Sequence, residues 1–331
     1  MALQVNAASL ISANGKYRWG ITLRSTGRCA IEPRSAGDLH VRPHKCAIAP
    51  APFVSTTAAS PRLRHIWECE LTRPSRIYKY EPMSIQALTN LKSESIYFNS
   101  PLNFNDPFDC NMALEVSVPY MDEIPFIKAF LLEETKGTDG AAKIEEMSEN
   151  EIAAMGMVMA RNYMNDRKAW AFNSYGICCF SETNDNLLMW SHYASSGKGF
   201  CLEFDSSREP FDKVRRVKYT NNPSKLNFRK LFSVDKLYLL DALFCAKSTH
   251  WKYEKEWRIF QEHSSRAEKY PTSSLTGIYF GPEIDDVHAE IVRQILQGQN
   301  SHIKIYKGAR SREAYKVVFS EVSLGSCGVE A

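Results

Sequence analysis

Short strand-like runs recur along this chain without a helix between each successive pair, and that spacing restricts the fold more than any other feature. IYKY (77–80), IYFNSP (96–101), residues 175–181 and 199–205, KVRRVKY (213–219), EWRIF (256–260) and GIYF (277–280) all read as strands. IKIYK (303–307) and YKVVF (315–319) close the chain as a hairpin pattern. Helical periodicity is confined to a few places. SIQALTNLKSES (84–95) sets Ile85, Leu88 and Leu91 on one face. Residues 120–170 are helical and acidic in the middle, with a loop near Gly137–Gly140, and read as an insertion that covers something else. A helical turn is expected at 187–194, and 225–246 repeats Phe228, Leu231, Phe232, Leu237, Leu240, Leu243 and Phe244 at helical spacing. Gly281-Pro282 leads into a helix with the stripe Ile284, Val287, Ile291 and Ile295; Pro282 suits its first position and Glu283 its positive end. Strands that dominate while helices cluster indicate α+β, not alternating βαβ. We expect mixed, mostly antiparallel central sheets with a few flanking helices, in one domain over 76–331 that carries the helical insertion 120–170.

Residues 1–75 stand apart. From Met1 to Trp67 the only acids are Glu32 and Asp38, and no apolar periodicity persists. Such a segment cannot bury enough surface to offset its ordering entropy, so a disordered extension is expected. It reads as a transit-like peptide or as an extension upstream of the true start; the late Lys16 and the interrupted apolar stretch do not fit a secretory signal. The 41 basic and 38 acidic residues leave a net charge of +3, too little to recruit nucleic acid or an anionic membrane. No apolar stretch reaches the roughly 18 residues of a membrane span. The nine cysteines form no CxxC pair and the histidines show no ligand spacing, so reduced thiols, a cytoplasmic setting and no metal are expected. Oligomeric state cannot be read. Gly-rich nucleotide loops, the GxSxG elbow and HExxH are all missing.

Chemistry concentrates in two segments, CFSETNDNLLMWSHYASSGKGFCLEFD (179–205) and HWKYEKEWRIF (250–260). Strands that need only to fold do not usually gather Ser181, Trp190, His192, Tyr193, Glu254, Glu256 and Arg258. Glu254 and Glu256, two residues apart, share a face if the segment is extended. Each residue also has a plain structural reading: a solvated strand face with ion pairs, core aromatics, a histidine bonded within its turn. Asn105-Asp106-Pro107 is either turn chemistry or a loop facing a pocket.

IYKY, IYFNSPLNFNDPFD, CFSETNDNLLMWSHYASSGKGFCLEFD, YEKEWR and FGPE together resemble the bacterial domain-of-unknown-function family numbered 2971, over roughly Arg76 to Ser320. The order of elements also resembles ADP-ribosyltransferases. That resemblance implies an NAD-binding first strand, a Ser-containing turn after a second strand, a short aromatic helix, and a Glu-x-Glu strand. Here Lys79 and Tyr80 stand where a His or Arg is expected, and a lysine lacks the bidentate fork of arginine. It further implies Glu256 as the carboxylate beside the ribose, Glu254 toward the acceptor, Ser181 fixing Glu256, and Trp190 or Tyr193 stacked on nicotinamide, with NAD as substrate. A non-enzymatic nucleotide-sensing or protein-interaction module uses the same pocket without turnover. A nuclease would gather Asp106, Asp109, Glu254 and Glu256 around Mg²⁺, a reading that the absence of a basic stripe disfavours.

Overall fold

The computed structural model describes residues 4–11, 17–24, 73–111, 114–232, 236–299 and 303–323. An antiparallel hairpin, β1 (Gln4–Ile11) and β2 (Tyr17–Arg24), comes first. Apart from this hairpin and Arg73–Ser75, the extension expected over 1–75 lies outside the described residues. Then come β3 (Arg76–Glu81), α1 (Ile85–Lys92), β4 (Ser95–Phe98) and β5 (Leu114–Val116). The helical block holds α2 (Ile124–Glu134), α3 (Gly140–Glu145) and α4 (Glu149–Ser174). After it follow β6 (Tyr175–Ser181), α5 (Leu187–Tyr193), β7 (Phe200–Asp205), β8 (Arg215–Arg216), β9 (Lys218–Tyr219) and β10 (Ser224–Leu226). The last part comprises α6 (Phe228–Leu231), α7 (Lys236–Phe244), β11 (Ala246–Lys247), β12 (Glu256–Glu262), β13 (Arg266–Lys269), β14 (Leu275–Phe280), α8 (Asp286–Gln297), β15 (Lys304–Arg310) and β16 (Val317–Val322).

Eight strands form the main sheet in the order β16-β15-β14-β7-β3-β6-β12-β8. Only β14 and β15 run parallel within it, joined by α8; the other pairs are antiparallel. The fold is therefore the expected α+β arrangement with a mixed, mostly antiparallel sheet. Each face of the sheet buries its own core. Ile77, Cys178, Phe180, Phe204, Trp257 and Ile278 pack with α1 and α8 on one side. Ile177, Cys179 and Phe260 pack on the other side with the helical block, α6 and α7. Adjacent Cys178 and Cys179 thus serve opposite faces, as alternation along a strand requires.

Several boundaries differ from expectation. The helix read over 225–246 is β10 followed by two helices, because Asn227 caps α6 by accepting from Lys230 N. KVRRVKY divides into β8 and β9, which pair with different partners. In α8 the buried stripe is Ala289, Val292 and Leu296, whereas Val287 points outward; the helix starts at its cap Asp285 rather than at Pro282. The block 120–170 stays outside the main sheet, and Gly137 turns its chain at φ +79°.

Candidate active site

One gap in the main sheet sets the site. β3 pairs with β7 over six positions but meets β6 only at Tyr78–Ser181. Farther along, Asn99 bridges Ile177 of β6 instead, with N–H···O distances of 2.8 and 3.0 Å. The backbone groups of Ile177 are thereby satisfied while β3 and β6 part. A cavity of ≈ 510 Å³ opens at the split, lined from β3, α1, β6, α5 and the segment between β11 and β12.

Eight of the residues singled out by sequence meet at this cavity: Lys79, Tyr80, Asn105, Ser181, His192, Tyr193, Glu254 and Glu256. Three do not line it. Trp190 is buried behind the wall, donates Nε1–H to Asn184 O at 2.7 Å, and packs edge-on against Tyr80 with ring centres 5.1 Å apart. Asp106 closes its own turn by accepting from Phe108 N at 2.9 Å. Arg258 is fully buried beneath the floor.

The floor is an ion-pair network. Glu256 and Arg258 alternate onto one face of β12, and the guanidinium grips Glu256 through both oxygens, at 2.7 and 2.8 Å. Its other edge grips Asp109 at 2.9 and 2.7 Å and donates to Phe244 O at 2.8 Å. A buried guanidinium is tolerable only when its donors are matched in this way. Lys247 sits at the centre, with Nζ 2.5 Å from Glu254, 3.1 Å from Glu256 and 3.2 Å from Asp109. Its ammonium occupies the middle of the carboxylate group, and Asp106 of the Mg²⁺ reading is turned away in its own loop.

Glu254 does not share an extended strand with Glu256. It ends a 3-10 turn, Thr249–Glu254, and Lys255 follows at φ +45°. That kink brings both carboxylates to the same lysine. Ser181 is the cross-strand partner of Glu256, but its hydroxyl donates to the Glu254 carbonyl at 2.7 Å, so it positions Glu254 instead. The Tyr193 hydroxyl donates to Glu254 Oε1 at 2.6 Å. Tyr219 accepts from the Glu256 N–H at 2.8 Å.

These surroundings separate the two acids. Burial, reinforced by neighbouring Glu256, pushes Glu254 up to about 7 against the pull of Lys247 and Tyr193. Burial also opposes charge on Glu256, yet Arg258 and Lys247 hold it down to about 2. Burial opposes charge on Lys247 too, but Glu256, Asp109 and Glu254 keep it well above an ordinary lysine. Lys79 pairs with Glu81 at 3.2 Å; its burial is outweighed and its proton is held more tightly than usual. His192 is exposed on the rim near the Tyr193, Trp251 and Tyr253 rings.

Sequence reading missed Lys247 and gave Asp109 only a passing role. A charge directly after the apolar Ala242–Ala246 run is the one signal that pointed to Lys247. The helical block 120–170 contributes nothing to the lining, so it covers the second core and not the cavity.

Among the described residues, no helix is long and apolar enough to cross a membrane. No curated protein and no solved structure matches the chain. Residues 189–259, which run from α5 into β12 and carry Tyr193, Lys247, Glu254, Glu256 and Arg258, match the family described as Protein of unknown function (DUF2971).

Proposed function

We propose that the cavity cleaves the N-glycosidic bond of a nicotinamide nucleotide, with NAD as substrate and water or a protein side chain as acceptor. One observation carries this reading: two carboxylates meet over Lys247 on one lining in unlike company, Glu256 with the Arg258 guanidinium, which lowers it, and Glu254 with the Tyr193 hydroxyl, where burial raises it. Such a split assigns a proton-transfer role to one acid and a fixed negative charge to the other. Ionised Glu254 takes the proton of the attacking water as its oxygen bonds to C1′. The C1′–N electron pair leaves with nicotinamide, which departs neutral and needs no acid. The products are nicotinamide, ADP-ribose and the proton now on Glu254. Glu256 stabilises the positive charge that develops on the sugar.

This division differs from the roles implied by the resemblance to ADP-ribosyltransferases. Glu256 is held by two cations, Arg258 and Lys247, whereas Glu254 is held by Lys247 and the neutral Tyr193 hydroxyl, so the proton-transfer role falls to Glu254. Tyr80 and Tyr193 supply flat walls for a base.

The test is release of nicotinamide from NAD by the full-length chain. Wild type should turn over, and Glu254→Gln should lose about 10²-fold or more, in line with losing one acid–base group. Absence of nicotinamide above the blank would sink the catalytic reading and leave a nucleotide-sensing module.

A further inference from the structure

The charge inventory of the cavity restricts what enters it. The lining contains two side-chain ammonium groups and no arginine. Both ammonium groups are committed, Lys79 to Glu81 and Lys247 to Asp109, Glu254 and Glu256. With Arg258 beneath the floor, three permanent cations face four carboxylates. A diphosphate needs unpaired Lys or Arg donors, or a run of free backbone N–H groups. At the α1 terminus on the lining, the Ala87 N–H is already taken by Ser84 Oγ at 3.1 Å.

The remaining polar groups suit an uncharged acceptor. Asn90 is buried to 7 % exposure on the lining, and its Oδ1 accepts from Gln86 Nε2 at 2.9 Å. Among the described residues the Asn90 Nδ2 donor has no hydrogen-bond partner. That donor is a place for a carbonyl or hydroxyl of a ligand. Asn99 lies on the same lining, its Oδ1 accepting from Asn103 Nδ2 at 3.3 Å.

We infer that the cavity admits a phosphate-free N-riboside with a positively charged base, and that any diphosphate of the substrate stays outside it. The inference rests on the glycosidic reading above and names its substrate class. A cationic base is drawn to the net negative floor, and Asn90 Nδ2 meets a carboxamide or hydroxyl oxygen. Bond cleavage neutralises the base, so the same floor releases it.

The experiment uses the full-length chain with nicotinamide riboside, its uncharged dihydro form, NAD and ADP-ribose. Nicotinamide release should give a kcat/KM for the riboside within tenfold of that for NAD. Calorimetry should show the riboside binding at least as tightly as ADP-ribose, and at least tenfold tighter than the dihydro form. Asn90→Leu should weaken riboside binding by roughly tenfold, the loss of one hydrogen bond, with an unchanged melting temperature. A preference for NAD above tenfold, tighter binding of ADP-ribose, or equal binding of the dihydro form each overturns the inference. If no substrate releases nicotinamide, the catalytic reading fails, and the calorimetric ranking still decides this one; no binding of the riboside overturns it.

Discussion

At the scale of the residue, Lys247 does what neither glutamate does alone. It holds Asp109, Glu254 and Glu256 together in a space where like charges would otherwise repel. Lys247→Met should destabilise the fold by about 3–5 kcal/mol in urea unfolding, because three buried carboxylates would face Arg258 alone. A loss under 1 kcal/mol would show that the network is solvated and weak. The two glutamates also shape the pH dependence of stability. Glu256 has a folded value near 2 against an ordinary 4.5, so its stabilisation is present above 4.5 and disappears as pH falls toward 2. Glu254 has a folded value near 7 against 4.5, so the folded state holds the extra proton, and stability falls as pH rises from 4.5 to 7. Glu254→Gln should remove that decline while leaving the acid limb. A decline of the same slope in the variant would assign it to another group. Three members of the site were recognisable beforehand as an acid pair and an arginine in Tyr253-Glu-Lys-Glu-Trp-Arg258. Their separate roles were not, because an alternation argument cannot foresee the left-handed turn at Lys255.

At the scale of the element, the parting of β3 from β6 decides where a ligand can enter. β3 is held on its other side by β7, and Gly199 lets the two segments approach: a Cβ there would run into the Glu81 carbonyl. Gly199→Ala should therefore destabilise the chain by about 2 kcal/mol or more, since backbone cannot yield as a flexible side chain does. It should also weaken ligand binding by displacing Glu81 and its partner Lys79. Unchanged binding in a folded variant would show that the β3 end is not part of the site. Strands and their approximate extents were readable from short β-branched and aromatic runs. α1 and α5 were readable too, because Ser84 and Asn186 supply side-chain caps. The division of 225–246 was hidden, since its apolar spacing continues across the break between α6 and α7.

At the scale of the whole molecule, the question is where the autonomous unit starts. Arg73 donates to Asp212 O at 2.6 Å, and Ser206 bonds to the Pro74 and Ser75 carbonyls. A chain beginning at Arg73 should melt cooperatively within a few degrees of the full chain. One beginning at Arg76 should melt measurably lower, having lost those bonds. A drop of many degrees for the Arg73 chain would mean that the preceding segment docks on the domain. The sequence by itself determined the class of fold, the strands of the main sheet and part of the candidate lining, because alternation, capping and turn chemistry are local and each residue carries its own preference. Only the tertiary structure decided that β3 leaves β6, that Asp109 and Lys247 come from afar to the acid pair, and that Glu254 and Glu256 differ in protonation. Those outcomes depend on long-range pairing and on burial beside specific charges, quantities that no window of neighbouring residues contains.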